Sequence, residues 1–144
     1  MLVHQILKAK SDDGVVTIPP GTTVAAAAEL LSSRRIGAVI VSPDGKIPAG
    51  IVSERDIVRE LGRRGPGCLS EVVDDLMTKD LVGCVREDAA DEVLTKMTAG
   101  RFRHMPVMEG TEMVGLISIG DVVKARLSEL SMEKEALQGM IMGH

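Results

Sequence analysis

Twice in this sequence a serine stands three residues before an aspartate: Ser53-Glu54-Arg55-Asp56 and Ser118-Ile119-Gly120-Asp121, each directly after a short apolar run. That spacing forms a capping box at a helix start, in which the hydroxyl accepts from a backbone N–H and the acid reaches back to the serine N–H. A carboxylate has further acceptor capacity. It can take two hydrogen bonds side by side, the pattern that vicinal hydroxyls offer as donors. The free amides and dipole of the same turn favour an anion. Capping and binding are compatible readings, and both stay open. Gly120 lets a ligand approach the backbone of the second copy, where the first carries Arg55, a cation.

A small basic cluster, Arg101, Arg103 and His104, precedes the apolar run Met105-Pro106-Val107-Met108. It reads either as a solvated loop or as an anion contact. Catalysis finds little support. His4 and His144 lie near the ends of the chain, and neither Cys68 nor Cys84 has a histidine at a motif spacing. No glycine-rich phosphate loop with a following lysine occurs, and no paired histidines point to zinc. Asp12-Asp13 and Asp74-Asp75 read as solvated ends of elements, so no metal site and no enzymatic activity are assigned.

The elements that position these residues repeat. Val24, Ala27 and Leu31 align with Ala90, Val93 and Met97, Ile36 with Phe102, and Val39-Ile40-Val41 with Met105-Pro106-Val107, all at one constant offset. One residue is lost in the second turn, after which Gly50-Ile51-Val52-Ser53 and Asp56 align with Gly115-Leu116-Ile117-Ser118 and Asp121. Arg103 and His104 have Gly37 and Ala38 as their matches, with Arg34 and Arg35 close by.

Each half reads as strand, helix, strand, strand, helix. In the first half Val15 to Ile18 is a short strand ended by Pro19-Pro20, and Thr22 or Thr23 caps a helix from Val24 to about Ser33. Strands at 38–41 and 49–52 flank the turn Pro43-Asp44-Gly45. A helix follows over about 53–61, and Gly62-Arg63-Arg64-Gly65-Pro66-Gly67 should break it. In the second half we expect a short helix near 73–77, a strand at 82–85, a helix over 89–99, strands at 104–108 and 113–118, and a final helix from Ile119. The organisation is therefore α/β, with motifs at 3–64 and 73–130, a linker at 65–72 and a helical extension at 131–144. Neither half can build a core alone, so the two should pack sheet on sheet about a pseudo-twofold axis. In the extension Val123, Leu127, Leu130, Leu137 and Ile141 follow a heptad-like spacing with Lys134 in the seam. They suit either a partner helix or packing against the chain itself.

Composition removes other functions. Of 144 residues, 44% are apolar and 26% charged, yet there is one phenylalanine and no tyrosine or tryptophan. Single-stranded nucleic acid needs several aromatic platforms, which Phe102 alone does not supply. A net charge of −4, from 17 basic and 21 acidic residues, gives no footprint for duplex DNA or an anionic membrane. No run approaches the roughly 18 apolar residues of a membrane span, and Lys8 and Lys10 interrupt any signal-peptide core. Two cysteines outside any metal spacing point to a reducing, cytoplasmic setting, with a single disulfide as the alternative.

Taken together, the two strand-end motifs in register and the upstream Arg103-His104-Met105-Pro106-Val107 resemble a tandem pair of cystathionine β-synthase (CBS) domains, the Bateman module, from about Val3 to Glu129. The resemblance implies a regulatory binding module rather than an enzyme. Such pairs take adenosine-containing ligands (AMP, ADP, ATP, NAD(H) or S-adenosylmethionine), often form disk-like homodimers and modulate an effector protein. Carried over residue by residue, it implies that Asp56 and Asp121 each clamp a ribose, helped by Ser53, Arg55, Ser118 and Gly120, with Arg101, Arg103 and His104 at the phosphates. The base with Asp121 would lie among Thr17 or Ile18, Ile36, Gly37, Ala38 and Leu116; the base with Asp56 among Val82 to Val85, Phe102, Met105 and Ile51. Phe102 would cover the base or a nicotinamide. The alternative is a dimerising scaffold that ignores nucleotides.

Overall fold

The computed structural model describes residues 1–10 and 14–141; Asp12, Asp13 and His144 lie outside them. Two compact units emerge, and they do not follow the order of the chain: one gathers Asp13–Val82 with Glu109–Val114, the other Met1–Asp12, Gly83–Met108 and Gly115–His144.

The first is the β1 unit. Strand β1 (Thr17–Ile18) pairs in parallel with β2 (Ala38–Val41), and β2 pairs antiparallel with β3 (Gly50–Ser53), which sets Ala38 opposite Ser53 and Val41 opposite Gly50. Helix α2 (Val24–Arg34) starts at Thr23, whose hydroxyl accepts from the Ala26 N–H at 3.1 Å. Its residues Val24, Ala27 and Leu31, spaced to share one face, bury with Ile18, Val39, Val41, Val52 and Val73 in one apolar cluster. Helix α3 (Glu54–Arg64) adds Ile57 to that cluster.

Here the expected break at Gly62 does not occur. A glycine inside a helix costs only about 1 kcal/mol, and Arg64 holds the last turn through Glu60 at 2.7 Å and Glu71 at 2.7 Å. The helix ends instead at Gly65, whose φ of 78° is left-handed, followed by Pro66 and two short 3₁₀ turns (Pro66–Ser70 and Val73–Asp75).

The second is the α5 unit. It contains α1 (Val3–Ala9), α4 (Ala90–Gly100), β4 (His104–Glu109), β5 (Glu112–Ser118) and α5 (Ile119–Ile141). The tip between β4 and β5 counts with the β1 unit, where the Met113 N–H donates to the Lys46 carbonyl at 2.8 Å. Sequence patterning missed α1, because seven residues led by Leu2 carry no polar cap; the Gln5 side chain accepts from the Leu2 N–H at 2.7 Å instead. Val3, Val93, Met97, Met105, Val107, Ile117 and Val122 are fully or almost fully buried.

No strand forms over 82–85. Only Cys84 bridges to Val107, because Pro106 has no N–H to extend a ladder, and the flanking Val82 and Val85 are 46% and 44% exposed. The outer part of α5 does not fold back among the described residues: Val123, Leu127, Leu130, Leu137 and Ile141 are all exposed. Both cysteines are buried and unbonded, which removes the disulfide alternative. No helix among the described residues is long and apolar enough to cross a membrane.

Candidate functional site

The sequence repeat becomes a repeated local geometry, one copy inside each unit. Both α2 and α4 are followed by an arginine in the left-handed region, Arg35 at φ 53° and Arg101 at φ 57°. The next N–H in each case, of Ile36 or Phe102, returns to the helix, to the Leu31 carbonyl at 3.1 Å or the Met97 carbonyl at 3.2 Å. The chain then re-enters as a strand beside the next helix start. The Glu54 N–H donates to the Gly37 carbonyl at 2.9 Å, and the Ile119 N–H to the Arg103 carbonyl at 2.7 Å. The turn after each αβ crossover thus lies directly against its own Ser-x-x-Asp cap.

In the β1 unit that cap is closed on itself. Asp56 Oδ2 accepts from the Ser53 N–H at 2.8 Å and from Ser53 Oγ at 3.0 Å, while Asp56 Oδ1 accepts from Arg59 Nη2 at 3.0 Å. The Asp56 N–H donates to Ser53 Oγ at 3.2 Å, completing the box. Asp56 is buried, with 8% of its surface exposed. Arg55 points to solvent, Gly37, Thr17, Ile36 and Ile51 are half-buried, and Ile18 and Ala38 are buried, Ile18 within the unit's apolar cluster.

In the α5 unit the same turn is built differently. Asp121 Oδ2 accepts from the Ser118 N–H at 2.8 Å, and the Asp121 N–H donates to Ser118 Oγ at 3.1 Å. The second partner of Oδ2 is a cation far away in the sequence, the Lys10 ammonium at 2.9 Å, which also donates to the Leu116 carbonyl at 2.8 Å. Asp121 Oδ1 has no hydrogen-bond partner among the described residues, and the side chain is 23% exposed. Partial burial raises the Asp121 carboxyl pKa, but the Ser118 N–H and the Lys10 ammonium outweigh it and hold the group below the ordinary aspartate value. At neutral pH it is an anion with one oxygen open.

Around it, Gly120 is exposed, and a Cβ there would meet only Ser118 Oγ at 3.6 Å, so no packing of the chain requires glycine. Arg101 and Arg103 are exposed and have no ion pair among the described residues; His104 is half-buried. The Phe102 ring lies against Gly100 with part of its surface in solvent, Leu116 is half-buried, and Met105 is fully buried. Sequence reasoning missed Arg59 and Lys10. Arg59 was readable as the i+3 neighbour of Asp56 on one helix, whereas nothing in the sequence near Lys10 connects it to Asp121.

Among the described residues no group of three or more His, Cys, Asp or Glu side chains could hold a metal ion. Asp74 Oδ1 accepts from the Gly21 N–H at 2.8 Å, a loop contact.

A duplicated strand-helix turn, each copy carrying a Ser-x-x-Asp cap, defines an α/β module built from a tandem repeat. The CBS domain family model matches residues 8–63 and again 73–128, and the chain belongs to that family. A mitochondrial CBS domain-containing protein of Arabidopsis thaliana is 34% identical over 141 residues, which is 94% of this chain and 68% of that one. A second CBS domain-containing protein of the same plant is 34% identical over 125 residues, 86% of this chain, and there this chain spans only 22% of its relative's length. Among solved structures, a CBS-domain containing protein of Agrobacterium tumefaciens superposes with a TM-score of 0.82 at 42% identity, covering 88% of this chain and 99% of that one. A CBS domain protein of Pyrobaculum aerophilum complexed with AMP gives 0.76 at 26% identity, over 92% and 99%.

Proposed function

We propose that this CBS pair binds an adenosine-containing ligand, of the AMP, ADP, ATP or NAD(H) type, with its ribose on Asp121, and that occupancy regulates a partner protein. The observation that carries the reading is the open Asp121 Oδ1 at a preformed cap. It is a charged acceptor, partly desolvated, beside a glycine that nothing in the chain fills. A relative that is complexed with AMP supports the ligand class. Ser118, Gly120, Arg103 and His104 belong to the same turn, and the half-exposed Phe102 ring is suited to covering a base.

The Asp56 turn is the weaker candidate, because Ser53 and Arg59 occupy both carboxylate oxygens. A sugar binding there has to displace Arg59 first. That closed turn favours, for the first motif, the alternative of a structural cap in a dimerising scaffold.

The regulatory mechanism is differential affinity: ligand shifts a conformational equilibrium only as far as it prefers one state. Homodimerisation and effector docking are assigned to the apolar stripe of α5, Leu127, Leu130 and Leu137, which the described chain leaves exposed. Two buried, unbonded thiols suit the reducing cytoplasm.

A thermal-shift panel of AMP, ADP, ATP, NAD, NADH and S-adenosylmethionine tests the reading. A ligand at a hundred times its Kd is expected to stabilise the fold by about 2.7 kcal/mol. No shift with any of them leaves the scaffold.

A further inference from the structure

Helix α5 has two apolar sides. Val122 and Ala125 are buried where the helix packs on α4 and α1. On another face Val123, Leu127, Leu130, Leu137 and Ile141 are between 41% and 84% exposed, and together with Lys134 they follow one another at spacings of 4, 3, 4, 3 and 4. A seam with that alternation stays on one face and is the complement of a second helix. From Ser131 to Gln138 every residue is exposed, so nothing in the described chain supports that stretch. A helical segment of such length has little stability in water by itself, and the seam therefore calls for a partner.

We infer that a second copy of this chain covers the seam in antiparallel orientation, with the twofold axis at the level of Met132. That register sets Leu127 opposite Leu137 of the second copy, Val123 opposite its Ile141, and Leu130 opposite its Lys134, whose aliphatic stem lies along the leucine while the ammonium reaches the rim. A parallel pair stacks Lys134 on its own mate inside the seam, where two like charges are partly desolvated. Lys134 has no ion-pair partner among the described residues to offset that. The like-charge contact of the antiparallel pair, Glu133 with Glu133 of the second copy, falls on the exposed rim, where water and salt screen it. Slipping by one heptad brings Arg126 beside Glu133 of the second copy but uncovers Leu137 and Ile141, and an exposed ion pair is worth far less than burying those side chains. The paired length, from Val123 to Ile141, is roughly 28 Å. Its interface is on the order of 1,200 Å², the lower bound for a stable complex. The inference rests on homodimerisation through α5 as proposed above; of the two occupants assigned to the stripe it selects the second copy, and it fixes the orientation.

Cross-linking of the full chain tests it. Leu127→Cys and Leu137→Cys are oxidised separately and after mixing with subunit exchange, the native thiols being buried. A covalent dimer is expected in the mixture, and little or none in either variant alone. Dimers that cross-link in each variant alone are parallel and overturn the inference. A chain that sediments as a dimer yet cross-links in none of the three samples pairs through another face, which overturns the inference and leaves homodimerisation standing. A monomeric wild type overturns the homodimer reading itself, a different outcome. Should the cysteine variants fail to fold, Lys134→Leu decides: it completes the seam and is expected to tighten the dimer by about tenfold or more in sedimentation equilibrium, whereas unchanged or weaker association overturns the inference.

Discussion

Arg59 holds Oδ1 of Asp56 at 3.0 Å, and among the described residues no counterpart of that contact exists at Asp121, whose Oδ1 they leave open. Two turns that the sequence presents as equivalent are thus one closed and one available. Removing the clamp should convert the first into the second. In Arg59→Ala, titration with AMP is expected to show a second binding event per chain that wild type lacks, and Arg59→Ala combined with Asp56→Ala is expected to lose it again.

The serines have a structural task separable from any ligand. Ser53 Oγ and Ser118 Oγ each accept the N–H of the aspartate three residues on. Replacing either by alanine is expected to lower stability by about 1 kcal/mol in urea unfolding without ligand. Ser53→Ala should cost the more of the two, since Ser53 Oγ also donates to buried Asp56.

Acid titration offers a third check. The folded Asp121 pKa is depressed below 3.8, because the Ser118 N–H and the Lys10 ammonium outweigh the opposing effect of burial. Its contribution to stability is therefore present above the ordinary value and is lost as pH falls through the lowered one. The stability difference between wild type and Asp121→Asn is expected to be constant above about pH 5 and to shrink steadily as pH falls past the ordinary aspartate value of about 3.9. A difference that grows on acidification contradicts the ion pair.

The thiols give a fourth. Burial, with Asp88 adding to it, pushes the Cys84 thiol up to about 11, so the thiolate is scarce at neutral pH. Cys84 and the buried Cys68 are expected to resist a thiol-reactive disulfide in the native protein and to react on unfolding. Rapid labelling of the folded chain would contradict their placement.

Much of this was legible in the residues. The strand pair around Pro43-Asp44-Gly45, a cap at Thr22 or Thr23, which the structure places at Thr23, and the two Ser-x-x-Asp turns depend on near neighbours, and local patterning carries that information. Val82 to Val85 misled because an apolar β-branched run looks like a strand even where Pro106 opposite has no N–H to give. Gly62 misled because ion pairs from Arg64 to Glu60 and to Glu71, the latter beyond the helix, hold the helix through it. Lys10 was out of reach altogether: its partner lies more than a hundred positions away, and no periodicity links an N-terminal lysine to one carboxylate among several. The repeat gave the two carboxylates alike, and only the surrounding side chains distinguish them.

Exposed Leu127, Leu130 and Leu137 on α5 lead to a statement about assembly. Wild type is expected to sediment as a dimer, and Leu127→Glu with Leu130→Glu as a monomer with unchanged helix content. A monomeric wild type removes the dimer from the account.

Calorimetric titration of AMP into wild type and Asp121→Ala, with circular dichroism to confirm the fold, tests the central claim most directly. The account predicts one binding event per chain in the wild type and its loss in a folded Asp121→Ala; a folded Asp121→Ala that binds AMP with wild-type affinity would contradict it.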